Sequence, residues 1–295
     1  MYTLKNDQLS IGVKKTGAEL CSLKKNGNEP EYLWQGNPEL WSGQAPNLFP
    51  VVGGLKEDTY FFEGQKYSLP RHGFLRNNKN FSLREQHENQ LIFQLNYSEE
   101  TLKVYPFKFT FEISFTLKAN EVHVSHRVFN LDEKPLYFSL GGHPAFNVPH
   151  YEDESLDDYL LEFDQDMDLK SYTLTRTGLI KEQTTQVLKN DKKIKLHKHL
   201  FDRDALIFKN IPSKRISLRS KTRGNILTVE YEDFKHLGIW AKPAAPFVCL
   251  EPWLGYADVE NTNQDFKTKE GINELMPSRE FRASYTIRID KKNTF

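Results

Sequence analysis

Three short stretches of this chain place proton-transfer groups beside turn-forming residues. They are LPRHGFLRN at 69–77, SLGGHPAF at 139–146 and PFVCLEPWLG at 246–255. The groups are the imidazoles of His72 and His143 and the carboxyl of Glu251, which precedes Pro252. Because a proline ends a strand ladder, Glu251 is expected at a strand end, where scaffolds often hold catalytic residues. An imidazole that titrates near neutrality and a carboxyl that burial can tune make a workable acid–base pair.

Taken singly, these residues also fit structural roles. His143 and His72 suit hydrogen-bonded structural histidines, and Glu251 suits a charge at a strand rim. Acid–base chemistry requires that the three side chains converge on one concave surface, although they are far apart in the sequence.

Other chemistries have weaker signals. On a strand, His123 and His126 would face opposite sides because side chains alternate, and His197 and His199 match no tight ligand spacing. The chain contains no G-x-S-x-G nucleophile elbow and no G-x-x-x-x-G-K phosphate loop. The sequence therefore predicts neither a metal site nor a serine hydrolase.

Alternation of apolar and polar residues predicts strands along much of the chain. Residues 110–130 read as two strands, and LIFQLNY, NILTVEY and SYTIRID repeat the pattern. Turns are expected at Asn26-Gly27 and Gly53-Gly54, and a short helix only within 190–202. With no linker or repeat, we expect one all-β domain over 1–295, a large antiparallel β-sandwich.

The composition excludes several classes of function. Because 40 Lys and Arg residues balance 40 Asp and Glu residues, neither nucleic acid nor an anionic membrane surface is an expected partner. No segment resembles a signal peptide or membrane span, so a cytoplasmic protein is expected. Cys21 and Cys249 are too few for a disulfide framework and are expected as buried thiols. The acidic stretch 152–168 and the basic stretch 189–199 are expected on solvated loops or edge strands.

Four longer segments together carry a family pattern. They are NLFPVVGGLKEDTYFFEGQKYSLPRHGFLRN (47–77), FSLGGHPAFNVP (138–149), LFDRDALIF (200–208) and VCLEPWLGYAD (248–258). In this order they resemble the aldose 1-epimerase (galactose mutarotase-like) family, most of all its LacX-like bacterial branch. The resemblance implies a β-supersandwich and an isomerase that interconverts the α and β anomers of a small-molecule sugar, with no cofactor.

The resemblance also implies catalytic roles. His143 matches the general acid that protonates the ring oxygen, and Glu251 matches the general base that takes the proton of the anomeric hydroxyl. These roles call for an ionised Glu251 and a protonated His143 in one enzyme form, with a pyranose ring between them. Gly141 and Gly142 are expected to let the backbone turn tightly and approach the ligand.

Further positions match substrate-binding residues of the family. His72 matches a histidine that hydrogen-bonds the sugar near its ring oxygen. Asp204 matches the carboxylate that holds sugar hydroxyls, with Asp202 as a nearby competitor, and Arg71 is expected to reach the substrate. Relatives commonly carry an arginine where this chain has Gly54, so one substrate contact is missing or comes from another residue.

The identity of the sugar stays open. Trp240, Trp253 and Phe146 either form an apolar floor for the C–H face of a sugar or pack in the core. A free aldose is the leading expectation. Arg71, Arg76 and the basic stretch are the features that would favour a hexose 6-phosphate instead, whereas the missing arginine at position 54 disfavours it. A non-catalytic sugar-binding module is the third alternative, although binding alone needs no acid–base pair.

Overall fold

Strands dominate the computed structural model, which describes residues 1–27 and 30–290. The strands are β1 (Tyr2–Lys5), β2 (Leu9–Val13), β3 (Leu20–Lys25), β4 (Asn47–Leu48), β5 (Thr59–Phe62), β6 (Gln65–Ser68), β7 (Ser82–Gln86), β8 (Gln90–Asn96), β9 (Phe109–Lys118), β10 (Glu121–Asn130), β11 (Leu136–Phe138), β12 (Leu140–Gly142), β13 (Ala145–Asn147), β14 (Tyr159–Leu174), β15 (Ile180–Lys195), β16 (Leu206–Phe208), β17 (Arg215–Ser220), β18 (Gly224–Glu230), β19 (His236–Trp240), β20 (Phe247–Leu254), β21 (Asn273–Leu275) and β22 (Glu280–Ile289). The helical elements of these ranges are α1 (Glu99–Val104) and short 3-10 turns at Thr16–Ala18, Lys56–Asp58 and Leu156–Asp158. The prediction of an all-β fold is confirmed.

Most of these strands join one large antiparallel sheet. Its order is β4-β12-β20-β19-β16-β14-β17-β18-β22-β10-β9-β8-β7, with β13 also paired to β20 and β15 to β14. Smaller sheets are β1-β2-β3, β5-β6 and β11-β21. The large sheet brings strands from distant parts of the sequence together around β20. The single domain over 1–295 stays a prediction.

The hairpin and turns predicted from the sequence form where expected. Residues 110–130 lie in β9 and β10, which pair in one unbroken register. The alternate residues Phe111 and Phe115 are 0% and 1% exposed, so one face of the hairpin lies in the core. Gly27 and Gly53 occupy the predicted turn positions with positive φ angles of 105° and 74°.

The prediction of a short helix within 190–202 is wrong. β15 continues to Lys195 and is followed by turns, because pairing with β14 satisfies its backbone and overrides local preference. The helix α1 forms elsewhere, where the Ser98 hydroxyl accepts the N–H of Thr101 and caps its first turn. Across residues 1–27 and 30–290, no helix has both the length and the apolar character that crossing a bilayer requires.

The acidic and basic stretches meet on the β14–β15 hairpin. Glu162 pairs in register with Lys193, and its Oε1 lies 3.3 Å from Nζ of Lys192. Arg219, on the neighbouring β17, approaches the same carboxylate at 2.7 Å. These charges therefore compensate one another on the surface of the sheet.

Candidate active site

The site is built on β20, every residue of which is buried. This strand continues past Pro252 to Leu254, so the expectation that Glu251 lies at a strand end is wrong. β12 and β13 both pair with this strand, and residues 143 and 144 interrupt the ladder between them. The pairs that flank the interruption share one register: Gly141 with Trp253, and Ala145 with Cys249. This register places His143 directly across from Glu251.

His143 and Glu251 are in contact at the wall of a cleft of about 160 Å³. Nε2 of His143 lies 3.2 Å from Oε2 of Glu251, and the side chains are 9% and 2% exposed. The prediction that a pyranose ring lies between them is therefore wrong for this structure. Directly opposed residues of paired strands are close neighbours and leave no room for a ring. A sugar would instead lie across the pair and contact both groups from the cleft. The charged and titratable side chains that line the cleft are Arg71, His72, Arg76, His143, Asp204 and Glu251.

The paired glycines have a packing role rather than the expected turning role. Both lie in β12, and neither has a positive φ angle. A Cβ at Gly141 would lie 2.6 Å from Cδ1 of Trp253, and a Cβ at Gly142 would lie 2.7 Å from Cε1 of Tyr285. The glycines are needed because two aromatic rings lie against this strand, and this packing fixes the backbone that leads into His143.

Burial favours the neutral forms of both catalytic candidates. It raises the pKa of Glu251 well above its usual range. It lowers the pKa of His143 to about 3, and the charge of Arg76 adds to this effect. Burial thus favours a protonated Glu251 beside a neutral His143, not the ionised Glu251 and protonated His143 expected from the sequence. The two forms differ only in which side of the 3.2 Å gap holds one proton.

Three buried polar atoms of cleft residues have no hydrogen-bond partner within the ranges 1–27 and 30–290. They are Nδ1 of His143, Oε2 of Glu251 and Nε1 of Trp253, although the indole N–H of Trp253 acts as a weak donor that lowers the pKa of the Glu251 carboxyl against the larger rise from burial. The contact between His143 and Glu251 lacks hydrogen-bond geometry, so it does not satisfy the carboxyl oxygen. Since an unsatisfied buried group costs about 1–3 kcal/mol, a ligand rich in hydroxyl groups would complement these atoms.

His72 comes into the same cleft from the loop after β6. Its backbone has a positive φ of 68°, and its Nδ1 accepts the N–H of Gly53 at 3.2 Å. The neutral ring therefore carries its proton on Nε2, which is a donor. Its ring centroid lies 5.5 Å from that of His143. Burial lowers the pKa of His72 well below its usual range, and the nearby His143 adds to the shift.

The structure distinguishes the two candidate aspartates. Asp204 lines the cleft with a positive φ of 77°, and its Oδ1 accepts the N–H of Ala205 at 2.8 Å. Asp202 is not among the cleft residues and instead contacts Nδ1 of His199 at 2.9 Å. Asp204 is therefore the carboxylate placed to reach a ligand beside Glu251.

Two guanidinium groups line the cleft without a carboxylate partner in the described part of the chain. Arg71 is exposed and donates from Nη2 to the carbonyl of Thr177 at 3.1 Å. Arg76 is half-buried, and its side chain makes no hydrogen bond or ion pair with any residue that the structure describes. Arg71 also lies beside the position that lacks arginine, since a Cβ on Gly54 would be 3.8 Å from its Nε. Both groups are therefore available to a ligand.

Comparison with known proteins identifies the family of this chain. The profile of the family described as aldose 1-epimerase matches residues 1–264. This chain belongs to the aldose 1-epimerase family. Protein LacX of Lactococcus lactis subsp. lactis, in its plasmid form, is 35% identical over 97% of this chain and 98% of the relative. The epimerase fold and the isomerase class predicted from the four segments are confirmed.

Solved structures of similar proteins have the same fold as this epimerase. A galactose mutarotase related enzyme from Lactobacillus acidophilus has a TM-score of 0.93 and 33% identity, with 99% of this chain and 98% of that chain covered. A galactose mutarotase-like protein from Lactobacillus casei has a TM-score of 0.92 and 28% identity, with coverages of 98% and 100%. The family acts on small-molecule sugars.

The aromatic lining of the epimerase differs in part from the prediction. Trp240 and Trp253 line the cleft, whereas Phe146 is fully buried and lies outside it, in β13. The sequence did not point to Trp41, whose ring stacks on that of His143 with 4.9 Å between centroids and 26° between planes. A tryptophan within the loop NPELWSGQ was the only signal for it.

The described ranges contain one group of potential metal ligands. His143, Cys249 and Glu251 each offer one ligand atom, and these atoms lie within 4.8 Å of one another. The histidine pairs at 123/126 and 197/199 belong to no such group. The sequence did not reveal this cluster, because the contact across β20 depends on a long-range register.

Proposed function

We propose that this epimerase interconverts the α and β anomers of an aldose by acid–base opening and closure of the hemiacetal ring. The observation that carries the proposal is the 3.2 Å approach of His143 to Glu251 within the cleft. Mutarotation needs one group that takes the proton of the C1 hydroxyl and another that gives a proton to the ring oxygen. A base and an acid that lie side by side at the wall of the cleft supply both.

The proton and electron movements balance over one cycle. One group removes the proton of the C1 hydroxyl, the bond from C1 to the ring oxygen breaks, and the other group protonates that oxygen. Rotation about C1–C2 presents the opposite face of the aldehyde, and the reverse transfers close the ring. The pair regains its starting proton, so no co-reactant is consumed.

We assign the base to Glu251 and the acid to His143. Sugar hydroxyls that donate to Glu251 would favour its ionised form over the neutral form that burial favours. Transfer of one proton to His143 then gives both groups the protonation that their roles require. The stacked ring of Trp41 stabilises the resulting imidazolium through a cation–π contact.

The remaining cleft residues would hold the sugar. The Nε2–H of His72 would donate near the ring oxygen, and Asp204 would accept from hydroxyl groups. Trp240 and Trp253, which line the cleft, would contact the C–H face of the ring. These contacts bind the sugar without moving protons, so their loss raises KM more than it lowers kcat.

A hexose 6-phosphate is a second candidate substrate, and Arg76 is the observation that favours it. A half-buried guanidinium without a partner among the described residues suits an anionic group, and Arg71 lines the same cleft. A relative from Escherichia coli K12, 30% identical over 53% of this chain and 54% of its own length, is named provisionally as a glucose-6-phosphate 1-epimerase.

A non-catalytic sugar-binding module explains less. Such a module would use the hydroxyl-binding groups, but it would gain nothing from an acid and a base buried against each other. Because burying polar groups without partners destabilises a fold, the His143–Glu251 pair favours an enzyme.

A panel of α-anomers tests the proposal. The chain is incubated with glucose, galactose and their 6-phosphates, and the approach to anomeric equilibrium is followed by polarimetry or exchange NMR. We expect acceleration with at least one sugar and its loss in Glu251→Gln. Arg76→Gln should raise KM for a phosphorylated substrate and leave KM for a free aldose unchanged. Binding by calorimetry without acceleration of any sugar would favour the module.

A further inference from the structure

A cysteine completes a set of metal ligands around the His143–Glu251 pair. Cys249 and Glu251 are two positions apart on β20, so their side chains leave the strand on the same face. His143 lies across from Glu251, and the three ligand atoms lie within 4.8 Å of one another. All three side chains are buried, and Cys249 is 0% exposed.

The separation of two of these atoms suits a tetrahedral metal ion. Zinc binds histidine nitrogen at about 2.0–2.1 Å and carboxylate oxygen at about 2.0–2.2 Å, which places two such atoms roughly 3.3 Å apart. Nε2 of His143 and Oε2 of Glu251 are 3.2 Å apart. The Cys249 sulfur lies within 4.8 Å of both atoms.

The ligands also have free coordinating capacity, and their deprotonated forms have the right charge. Oε2 of Glu251 lacks a hydrogen bond, and the Cys249 thiol makes none within the described ranges. By contrast, the other buried cysteine, Cys21, donates to the carbonyl of Gly12 at 3.4 Å. One thiolate and one carboxylate neutralise a divalent ion, as a buried site requires. Three protein ligands leave a fourth coordination position open, and two of these ligands line the cleft.

We propose that His143, Cys249 and Glu251 form an inhibitory site for a thiophilic divalent cation of the Zn²⁺ type. The ion binds the imidazole nitrogen and the carboxylate that transfer protons in the proposed reaction, so metal binding and turnover exclude each other. Inhibition rests on the proposed function, whereas metal binding does not. Hard cations such as Mg²⁺ do not compete, because they prefer oxygen ligands.

Zinc titration of the metal-free protein tests inhibition. Turnover should fall as one equivalent of Zn²⁺ binds and should return on addition of a chelator, whereas Mg²⁺ should have no effect. The rate of each variant is compared with its own rate without metal. Cys249→Ala should need at least about tenfold more zinc for the same fractional inhibition, since loss of even a residue that only hydrogen-bonds a metal ligand weakens metal sites that much. Cys21→Ala, which removes the other buried thiol, is the matched control and should keep wild-type sensitivity.

Cadmium gives a readout that does not depend on catalysis. Cd²⁺ bound by a thiolate has an ultraviolet charge-transfer band, expected in the wild type and Cys21→Ala and absent from Cys249→Ala. Cys249→Ser serves the same purpose if the alanine variant fails to fold. Equal zinc sensitivity of Cys249→Ala and the wild type, or no cadmium band in the wild type, would overturn the proposal. A cadmium band in a protein that epimerises no sugar would support the metal site and contradict the proposed function instead.

Discussion

Two buried acid–base pairs near the end of β20 differ in how well their polar atoms are satisfied. Asp258 and Lys269 form an ion pair at 3.0 Å, and both side chains are 3% exposed. Asp258 also accepts the N–H of Lys56 at 2.9 Å, and the Lys269 ammonium donates to the carbonyl of Tyr256 at 2.7 Å. Each charged group thus has a second partner, which is the arrangement expected of a structural ion pair.

The His143–Glu251 pair is comparably buried but has unsatisfied atoms. Nδ1 of His143 and Oε2 of Glu251 have no hydrogen bond among residues 1–27 and 30–290, and both side chains border the cleft. The contrast shows that burial and proximity of an acid and a base do not mark a catalytic site by themselves. Unsatisfied hydrogen-bonding capacity at a surface that a ligand can reach is the more specific sign.

Asp258→Ala should have the largest effect on stability. It leaves the Lys269 ammonium buried without its counter-ion, and breaking such pairs typically costs about 3–5 kcal/mol. We expect a loss of this size in urea unfolding, with kcat of the folded fraction unchanged. A loss below about 1 kcal/mol, as for an exposed ion pair, would mean that this pair is not structurally important.

Glu251→Gln and His143→Asn should lower activity rather than stability. Each should lower kcat by at least about two orders of magnitude, the usual contribution of a positioned general acid or base, while the fold is retained. Polarimetry of anomer interconversion measures kcat, and calorimetry measures sugar binding, which should change much less. Near-wild-type turnover of Glu251→Gln would exclude this residue as the base.

Asp204→Ala should act mainly on substrate binding. Loss of a charged hydrogen-bond acceptor should raise KM by about tenfold or more, with a smaller change in kcat. Asp202→Ala is the matched control, because Asp202 contacts His199 outside the cleft. Equal effects of the two variants on KM would contradict the placement of Asp204 against the sugar.

The smallest expected effect is a gain of stability in Glu251→Gln. Burial raises the pKa of Glu251, so the unfolded chain loses this proton first as the pH rises above about 4.3, and unfolding is favoured there. Removing the carboxyl should therefore stabilise the fold at neutral pH. The gain should disappear below about pH 4. Thermal melts at both pH values measure it, and a variant less stable than the wild type at neutral pH would contradict the raised pKa.

Local patterns in the sequence were sufficient for much of the fold. The alternation in 110–130 predicted the β9–β10 hairpin, because a strand with one buried face must alternate. The helix expected within 190–202 does not form because β15 pairs with β14 along part of that range, with partners such as Leu160 and Lys195 that are 35 positions apart. Long-range pairing leaves no local signal.

The site was predictable in its residues but not in its geometry. The types of residue beside turns, together with the family pattern, indicated His143 and Glu251. Their contact at 3.2 Å follows from the shared register of β12 and β13 on β20, which the sequence does not contain. Trp41 was missed for the same reason, since its stacking on His143 depends on how a distant loop folds over β20.

A double-mutant cycle on kcat tests most directly whether His143 and Glu251 act as one proton-transfer pair. The rate of α-to-β conversion is measured for the wild type, Glu251→Gln, His143→Asn and the double variant, on the sugar that the wild type converts fastest. Groups that work as a unit lose their effect together, so the double variant should be little slower than the slower single variant. If the two reductions in kcat multiply in the double variant, the residues have independent roles and the shared-proton account is contradicted. Single reductions of about two orders of magnitude would then give about four or more.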